Sequence, residues 1–342
     1  MKAARFHEYG GPDVLRYEDA PDPVPGPGEA LVRVRACGVN HVDLDRRAGI
    51  SGFPHDLPFI LGYEMAGDVV ALPAGVASPP VGARVLVPYV IPCRRCLYCR
   101  TGRDNICAHS PRYGGTRPGG YAELVAVPAD ELIALRPGLS YEEAAATQLA
   151  FGTAWHMLLA RGRLAVGETV LVNAAGSGIG SAAVQIAKLV GARVIASAGS
   201  DAKLARALAL GADHVVNYRT ADMARAVLDL TGGRGVDLVF EHVGGELFGH
   251  ALRCLAVDGR IAICGAHGGG SVALDLLEVF RRQVQIIGSR IYTRQELLTV
   301  LELVGEGRLR PVVHAVLPLA EAAEAHRMLE RREQFGKVIL RP

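Results

Sequence analysis

The chain has 342 residues, 50% of them hydrophobic and 21% charged, with a formal net charge of +2. That length suffices for two domains with separate cores, while the near-neutral charge gives no support to a nucleic-acid or polyanion partner. The apolar runs are short and broken by Gly and charged residues, so no membrane-spanning helix is expected.

The first twenty residues carry Lys2, Arg5, Glu8, Asp13, Arg16, Glu18 and Asp19, a composition unlike a secretory signal. The seven cysteines are an odd number and argue against a disulfide framework. A cytoplasmic location is expected. Cys37, Cys254 and Cys264 stand alone and read as small buried thiols.

The first block, to about residue 150, is rich in Pro and Gly and alternates like strands. In Leu31–Ala36, Val32, Val34 and Ala36 share one face and Arg33 and Arg35 the other. Val85–Val87 and Leu124–Val127 are further short strands between turn residues, and Pro21–Gly28 is a rigid connecting loop. An irregular β-barrel is expected. From Phe151 the pattern changes to strands alternating with helices: Thr169–Asn173, Val194–Ala196, Val215–Val216, Leu238–Phe240, Ile261–Ile263 and Val284–Ile287 are the strands. Repeated βαβ units with continuous apolar strands imply a doubly wound parallel sheet. A third block, from Ile291, holds helices at Gln295–Glu306 and Leu319–Glu330 and strands at Val312–Val313 and Lys337–Leu340. It is too short for a domain, so residues 291–342 are expected to complete the block 1–150, with 151–290 forming the second domain.

Cys93-x2-Cys96-x2-Cys99-x7-Cys107 carries the strongest local signal. Four thiolates complete a tetrahedral zinc with no open position, so one zinc there is structural and activates neither water nor substrate. A redox centre or an iron–sulfur cluster are the rivals.

Ala174-Ala175-Gly176-Ser177-Gly178-Ile179-Gly180 follows the first strand of the βαβ array and opens a helix. Backbone N–H groups and the helix dipole there can hold a dinucleotide's pyrophosphate, which assigns Gly176, Ser177, Gly178 and Ile179 to cofactor binding. NAD readers place an acid at the end of the second strand, to grip the ribose hydroxyls. Here that end is Ala198-Gly199-Ser200, and Asp201 suits the first turn of the next helix. Ser200 and Lys203, with Arg206 one turn on, can face a 2′-phosphate instead, which favours NADP(H) over NAD(H). A solvated helix face is the alternative for Lys203 and Arg206.

With these pieces in place, the chain resembles the medium-chain dehydrogenase/reductase superfamily from end to end. The resemblance rests on Gly10–Leu15, Cys37–Asp43, Leu61-Gly62-Tyr63-Glu64, the four-cysteine lobe, Gly152–Trp155, the glycine turn and Phe335–Leu340. It implies a GroES-like catalytic domain, a Rossmann domain, an active-site cleft between them, and a homodimer or homotetramer. The superfamily's zinc alcohol dehydrogenases hold a second, catalytic zinc through a Cys, a His and a further Cys. This chain offers Asn40, Tyr63 and Leu149 at those places and Val42 at the hydroxyl relay position; Glu64 alone survives of the usual surroundings. Three lost ligands leave no zinc-activated site. Gly-Val-Asn at residues 38–40 is similar to the zinc-free quinone oxidoreductases, in which Ser and Lys after the second strand and Asn217-Tyr218 after the third look like NADPH contacts. The resemblance also places His41 near the cofactor phosphates, and Thr153, Val243, Gly265 and Lys337 along the cofactor cleft.

Without a metal, a neutral oxygen must be polarised by hydrogen bonds alone, and conjugated acceptors need the least help. The expected reaction is NADPH-dependent reduction of a quinone, enone or similar activated double bond. Asn40 orients substrate or nicotinamide, Tyr63 donates a proton or hydrogen bond, and Asp43 buttresses Tyr63. The alternative for Tyr63, of equal standing, is an aromatic filling a vacated metal cavity. The competing readings are an NAD(P)-dependent alcohol dehydrogenase or carbonyl reductase, and a cofactor-binding protein without enzymatic activity.

Overall fold

The computed structural model describes residues 1–52 and 54–342. Phe53, in the loop 46–59 whose shape the sequence leaves open, lies outside the described residues. The chain divides into two compact units, Met1–Gln148 with Arg310–Pro342, and Leu149–Leu309. The first division falls inside the helix Tyr141–Trp155. The second falls later than the expected residue 290, because residues 291–309 pack within the second unit. The Tyr292 ring fills the space beside Gly152, where a Cβ would stand 2.4 Å from it, and Glu296 holds His156 Nδ1 at 2.9 Å.

In the first unit, the long strand Glu29–Gly38 pairs antiparallel with Glu64–Ala71, Leu124–Pro128 and Lys337–Arg341. Its expected alternation is present: Val32, Val34 and Ala36 are buried and Arg33 and Arg35 exposed. The sheet runs Val313–Pro318, Lys337–Arg341, Glu29–Gly38, Glu64–Ala71, Arg84–Val87, Ile133–Ala134. Leu319, Ala322, Ala325, Leu329, Val338 and Leu340, from the end of the chain, join Ala30, Val32, Val34 and Met65 in one core. That shared core is why the C-terminal block returns to the first. The return reaches 310 rather than 291.

The second unit is a six-stranded parallel sheet in the order His214–Asn217, Arg193–Ala198, Thr169–Val172, Val236–Glu241, Leu255–Ile263, Gln285–Gly288. In chain order this is 3-2-1-4-5-6, the doubly wound dinucleotide-binding arrangement, with its switch point at the first strand. The chain is thus an α/β protein with a GroES-like unit and a Rossmann-type unit. Cys37 and Cys254 are buried as expected, whereas Cys264 is partly buried. Among the described residues, no helix is long and apolar enough to cross a membrane.

Close strand pairing sets the tightest local demand. A Cβ on Gly67 would stand 2.0 Å from the Arg33 carbonyl oxygen, whereas one on Gly249, inside the helix Gly245–Arg253, would meet nothing within 4 Å. Gly67→Ala should therefore lower stability by more than about 2 kcal/mol. Gly249→Ala should leave it level or raise it by about 0.5–1 kcal/mol. Urea midpoints of the two variants check the contrast.

Candidate active site and metal centre

The helix His41–Arg47 begins at Asn40, whose extended backbone ends the strand Glu29–Gly38. The Asn40 N–H donates to Asp43 Oδ2 at 2.8 Å, and the Gly62 N–H donates to Asp43 Oδ1 at 3.1 Å. Gly62 sits at φ +103°, and a Cβ there would meet the Tyr121 ring, Cys37 Sγ and the Gly120 N–H within 2.9 Å. Asp43 therefore clamps the helix start to the turn that delivers Tyr63. It buttresses the peptide before Tyr63 and makes no hydrogen bond to the Tyr63 hydroxyl. Complete burial pushes the Asp43 carboxyl up to about 7, against the pull of the two amides.

Asn40's side chain is committed. Its Nδ2 donates to Gly38 O at 3.3 Å and to Glu64 Oε2 at 3.0 Å, and its Oδ1 accepts from Lys337 Nζ at 2.7 Å. Lys337 Nζ also donates to Val39 O at 3.0 Å and pairs with the wholly buried Glu64. The three ammonium protons thus meet three acceptors. Lys337, expected along the cofactor cleft, is placed by the structure in a buried ion pair of the first unit. The sequence showed Lys337 and Glu64 separately, 273 positions apart, and nothing in either neighbourhood announces the pair.

Tyr63 is fully buried, with Tyr89 edge-on at 5.1 Å and the Arg46 guanidinium 5.3 Å above its ring centre. Its hydroxyl has no hydrogen-bond partner. Burial, then the negative charge of Asp43, holds its pKa well above the usual phenol value, partly offset by Arg46, so it stays a neutral donor. His41 occupies the first turn of the same helix.

Behind Asp43 runs a chain that sequence reading passed over. Arg47 Nη1 donates to His326 Nδ1 at 3.1 Å, which leaves the proton on Nε2, 3.1 Å from Tyr121 Oη. Burial, then the Arg47 charge, lowers the His326 pKa to about 3, so the imidazole is neutral. Arg47 Nη2 closes the chain on Glu330 at 2.7 Å.

In the second unit, Ser177 caps the helix Gly178–Val190, its Oγ accepting from the Gly180 N–H at 2.9 Å. A Cβ on Gly180 would stand 2.4 Å from Ala174 O, so this glycine lets helix and strand close together. Beneath the turn, Ser197 Oγ donates to Asn173 Oδ1 at 3.0 Å, Asn173 Nδ2 donates to Glu241, and the Gly244 N–H donates to Glu241 Oε1 at 2.8 Å. His242 Nε2 lies 3.0 Å from Ser177 Oγ. Asn173, Ser197, Glu241 and His242 were not foreseen, because polar residues at strand ends leave no periodic mark. Val243 and Gly265 follow the fourth and fifth strands, with Val243 O accepting from the Gly268 N–H at 2.6 Å, and Thr153 is buried in the helix Tyr141–Trp155.

The second strand ends at Ala198, and Asp201 does open the next helix, Asp201–Ala209, with Ser200 at its cap. Asp201 Oδ1 accepts from Asn217 Nδ2 at 2.8 Å. Gly199 lies against Tyr218 and Arg219: a Cβ there would meet Tyr218 Oη at 2.8 Å and Arg219 Nε at 3.0 Å. Tyr218 and Arg219 thus meet the chain at the end of that strand, with Ser200 next to Gly199 and the Lys203 N–H donating to the Ser200 carbonyl at 3.1 Å, Arg219 being an addition to the sequence reading.

The Cys93, Cys96, Cys99 and Cys107 sulfurs all lie within 4.8 Å of one another, the one such group of possible metal ligands among the described residues. The Cys96 and Cys99 sulfurs are 3.5 Å apart, and backbone N–H groups of Cys96 and Cys99 point at the sulfurs of Cys93 and Cys96. Amides at Arg95 and Cys96 lower the Cys93 pKa to about 6, towards the thiolate. Arg94, between two of the cysteines, bonds the buried Glu131 and so anchors the loop. The donor set and spread fit a tetrahedral zinc.

A Rossmann-type cofactor unit joined to a GroES-like unit defines a nicotinamide-dependent oxidoreductase. Residues 26–137 match the family model of the alcohol dehydrogenase GroES-like domain, and residues 178–306 that of the zinc-binding dehydrogenases. The NAD-dependent alcohol dehydrogenase of Sulfolobus acidocaldarius is 35% identical, across 100% of this chain and 99% of its own. A 2-haloacrylate reductase of a Burkholderia species is 31% identical and a quinone oxidoreductase of Pseudomonas aeruginosa 32% identical, with the same coverage. The crystal structure of an NAD-dependent alcohol dehydrogenase superposes with a TM-score of 0.95 at 45% identity, covering 100% of both chains. The chain belongs to the medium-chain dehydrogenase/reductase superfamily.

The Asp43 carboxyl holds its proton more tightly when folded, at about 7, than in the unfolded chain. Its contribution to stability is complete below about pH 4 and is lost as the pH rises through 7. Between about pH 5 and about pH 8, the thermal midpoint of the native protein should fall relative to that of Asp43→Asn. Parallel curves would show that Asp43 is ionised throughout.

Proposed function

We propose that this protein reduces a quinone, enone or similar activated double bond with NADPH, without a catalytic metal. The observation that carries the reading is the environment of Asn40 and Tyr63. Asn40's amide is spent on Lys337, Glu64 and Gly38, and Tyr63 presents a buried, unpartnered hydroxyl. Neither residue, nor Leu149, makes a zinc ligand set. The nicotinamide supplies the hydride. Tyr63, neutral and desolvated, donates a hydrogen bond to the acceptor oxygen on which charge develops, and Asp43 and Asn40 fix the backbone that presents it. The relatives named quinone oxidoreductase and 2-haloacrylate reductase support an activated double bond as the acceptor. Those named alcohol dehydrogenase favour the second reading, an NAD(P)-dependent alcohol dehydrogenase or carbonyl reductase.

For the cofactor, Ala198 brings no carboxylate and Asp201 is engaged by Asn217, while Ser200, Lys203, Tyr218 and Arg219 offer a setting for a 2′-phosphate. Gly176, Ser177, Gly178 and Ile179 take the pyrophosphate. The four cysteines hold one structural zinc, and a reducing, cytoplasmic setting keeps their thiolates available. The edge strand Gln285–Gly288, beside the exposed Leu276, Leu277 and Phe280, would be covered by a second copy of the chain.

Purified protein should contain one zinc per chain, and two would overturn the account of Asn40 and Tyr63. NADPH with quinones or enones should give a higher kcat/KM than NADP⁺ with simple alcohols; the reverse order would establish the second reading. Lys203→Ala should raise the KM for NADPH about tenfold, the equivalent of about 1.4 kcal/mol, with little change in the KM for NADH.

A further inference from the structure

The buried chain that starts at Arg47 has a direction, and that direction reaches the candidate site. A guanidinium carries only donors, so His326 Nδ1, 3.1 Å from Arg47 Nη1, must accept. The single imidazole proton is therefore on Nε2, which donates it to Tyr121 Oη at 3.1 Å. Burial, then the Arg47 charge, lowers the His326 pKa to about 3, so no second proton disturbs this assignment. With its oxygen taken from that side, Tyr121 has its own hydroxyl proton left to give. Asp43 receives it. After burial, the charge of Asp43 and its hydrogen bond with the hydroxyl are among the causes that hold the Tyr121 pKa well above the usual phenol value.

All four side chains have left water: Arg47 is 3% exposed, and Asp43, Tyr121 and His326 are 0% exposed. The links join the helix His41–Arg47 to the helix Ala322–Glu330 through Tyr121, which also stands against the turn before Tyr63. The Tyr121 N–H donates to Leu61 O at 2.9 Å, and a Cβ on Gly62 would meet the Tyr121 ring at 2.7 Å. Asp43 consequently accepts from three donors, the Asn40 and Gly62 amides and the Tyr121 hydroxyl. A carboxylate suits three donors, whereas a protonated carboxyl would set its proton against one of them and leave a buried donor unpaired. The chain thus opposes the burial that raises the Asp43 pKa. The other groups that face Asp43 are Lys337 and Arg46, which favour the carboxylate, and Cys37 and Tyr63, whose own raised pKa values keep them neutral. At His326, the charge of His41 adds to that of Arg47.

We infer that His326 is a positioning residue for the candidate active site: by turning the Tyr121 proton towards Asp43, it keeps Asp43 the acceptor that clamps the turn before Tyr63. A leucine there would fill space but would neither accept from Arg47 nor donate to Tyr121. The consequence for turnover rests on the reductase reading, in which the Tyr63 hydroxyl meets the acceptor. The consequence for Asp43 does not.

The test follows the proton on Asp43 in the whole protein. The gap in thermal midpoint between the native protein and Asp43→Asn changes with pH until Asp43 is ionised, and then levels. In a His326→Leu background the levelling point should move up by about one pH unit. His326→Gln, which can accept from Arg47 and donate to Tyr121, should restore most of that movement. With NADPH and a quinone or enone, His326→Leu should lower kcat about tenfold and leave the KM for NADPH unchanged. A lower midpoint at every pH, with the levelling point unmoved, reduces His326 to a packing residue and overturns the inference. Should His326→Leu fail to fold, Tyr121→Phe, which removes only the hydroxyl, should give the same upward movement, and an unmoved point there overturns the inference equally. If no acceptor is reduced, the reductase reading fails by itself, and the levelling point still decides the role of His326.

Discussion

Lys337 and Glu64 form a buried ion pair on which the first unit's site depends. Their side chains are 7% and 0% exposed, so both ions have left water almost completely. Removing either would strand a charge in a low-dielectric interior, and such pairs survive only when their remaining hydrogen bonds are satisfied. Here Val39 O and Asn40 Oδ1 take the other ammonium protons, and Asn40 Nδ2 supports the carboxylate. The pair ties the C-terminal strand to the strand Glu64–Ala71 and to the residue that starts the helix His41–Arg47. It fixes the entry of that helix, and through it the directions in which Asp43, Arg46 and Arg47 project.

From this anchor the site divides its charges. Asp43, held by two backbone amides, sets the turn before Tyr63; Arg47 leads away through His326 to Tyr121 and pairs directly with Glu330. Arg46 lies over the Tyr63 ring. The neighbouring arginines 46 and 47 are both buried and serve opposite sides of the helix, as residues one apart must. Arg47 pairs with the Glu330 carboxylate, and Arg46 donates to the Gly114 carbonyl.

The fold was largely legible because burial leaves a periodic trace. Val32, Val34 and Ala36 alternate, and the six strands of the second unit appear as apolar runs at the expected places. The second domain boundary escaped because the contacts of Tyr292 and Glu296 with Gly152 and His156 span some 140 residues and have no local signature. The cysteine spacing and the glycine turn were readable, since metal and phosphate chemistry impose fixed intervals. The site was readable only as a set of residue types. Asn40, Tyr63 and Asp43 stood out, yet Asn40's engagement with Lys337 and Glu64 is a matter of distance between parts of the chain far apart in sequence.

The four-cysteine lobe and the chemistry are separable for a physical reason. The lobe is closed upon itself: its donors come from residues 93–107, its anchor is Arg94 on Glu131, and a four-sulfur zinc has no open position to offer a substrate. Nothing in that arrangement depends on what occupies residues 40 and 63. On the reading proposed above, Asn40 and Tyr63 replace a metal's ligands with groups that can act only through hydrogen bonds. A hydrogen-bonded site favours acceptors that spread charge over a conjugated system, because it stabilises an oxyanion less strongly than a metal ion does. The lobe therefore marks the family and leaves the choice of acceptor to other parts of the chain, which on the reading proposed above are Asn40 and Tyr63.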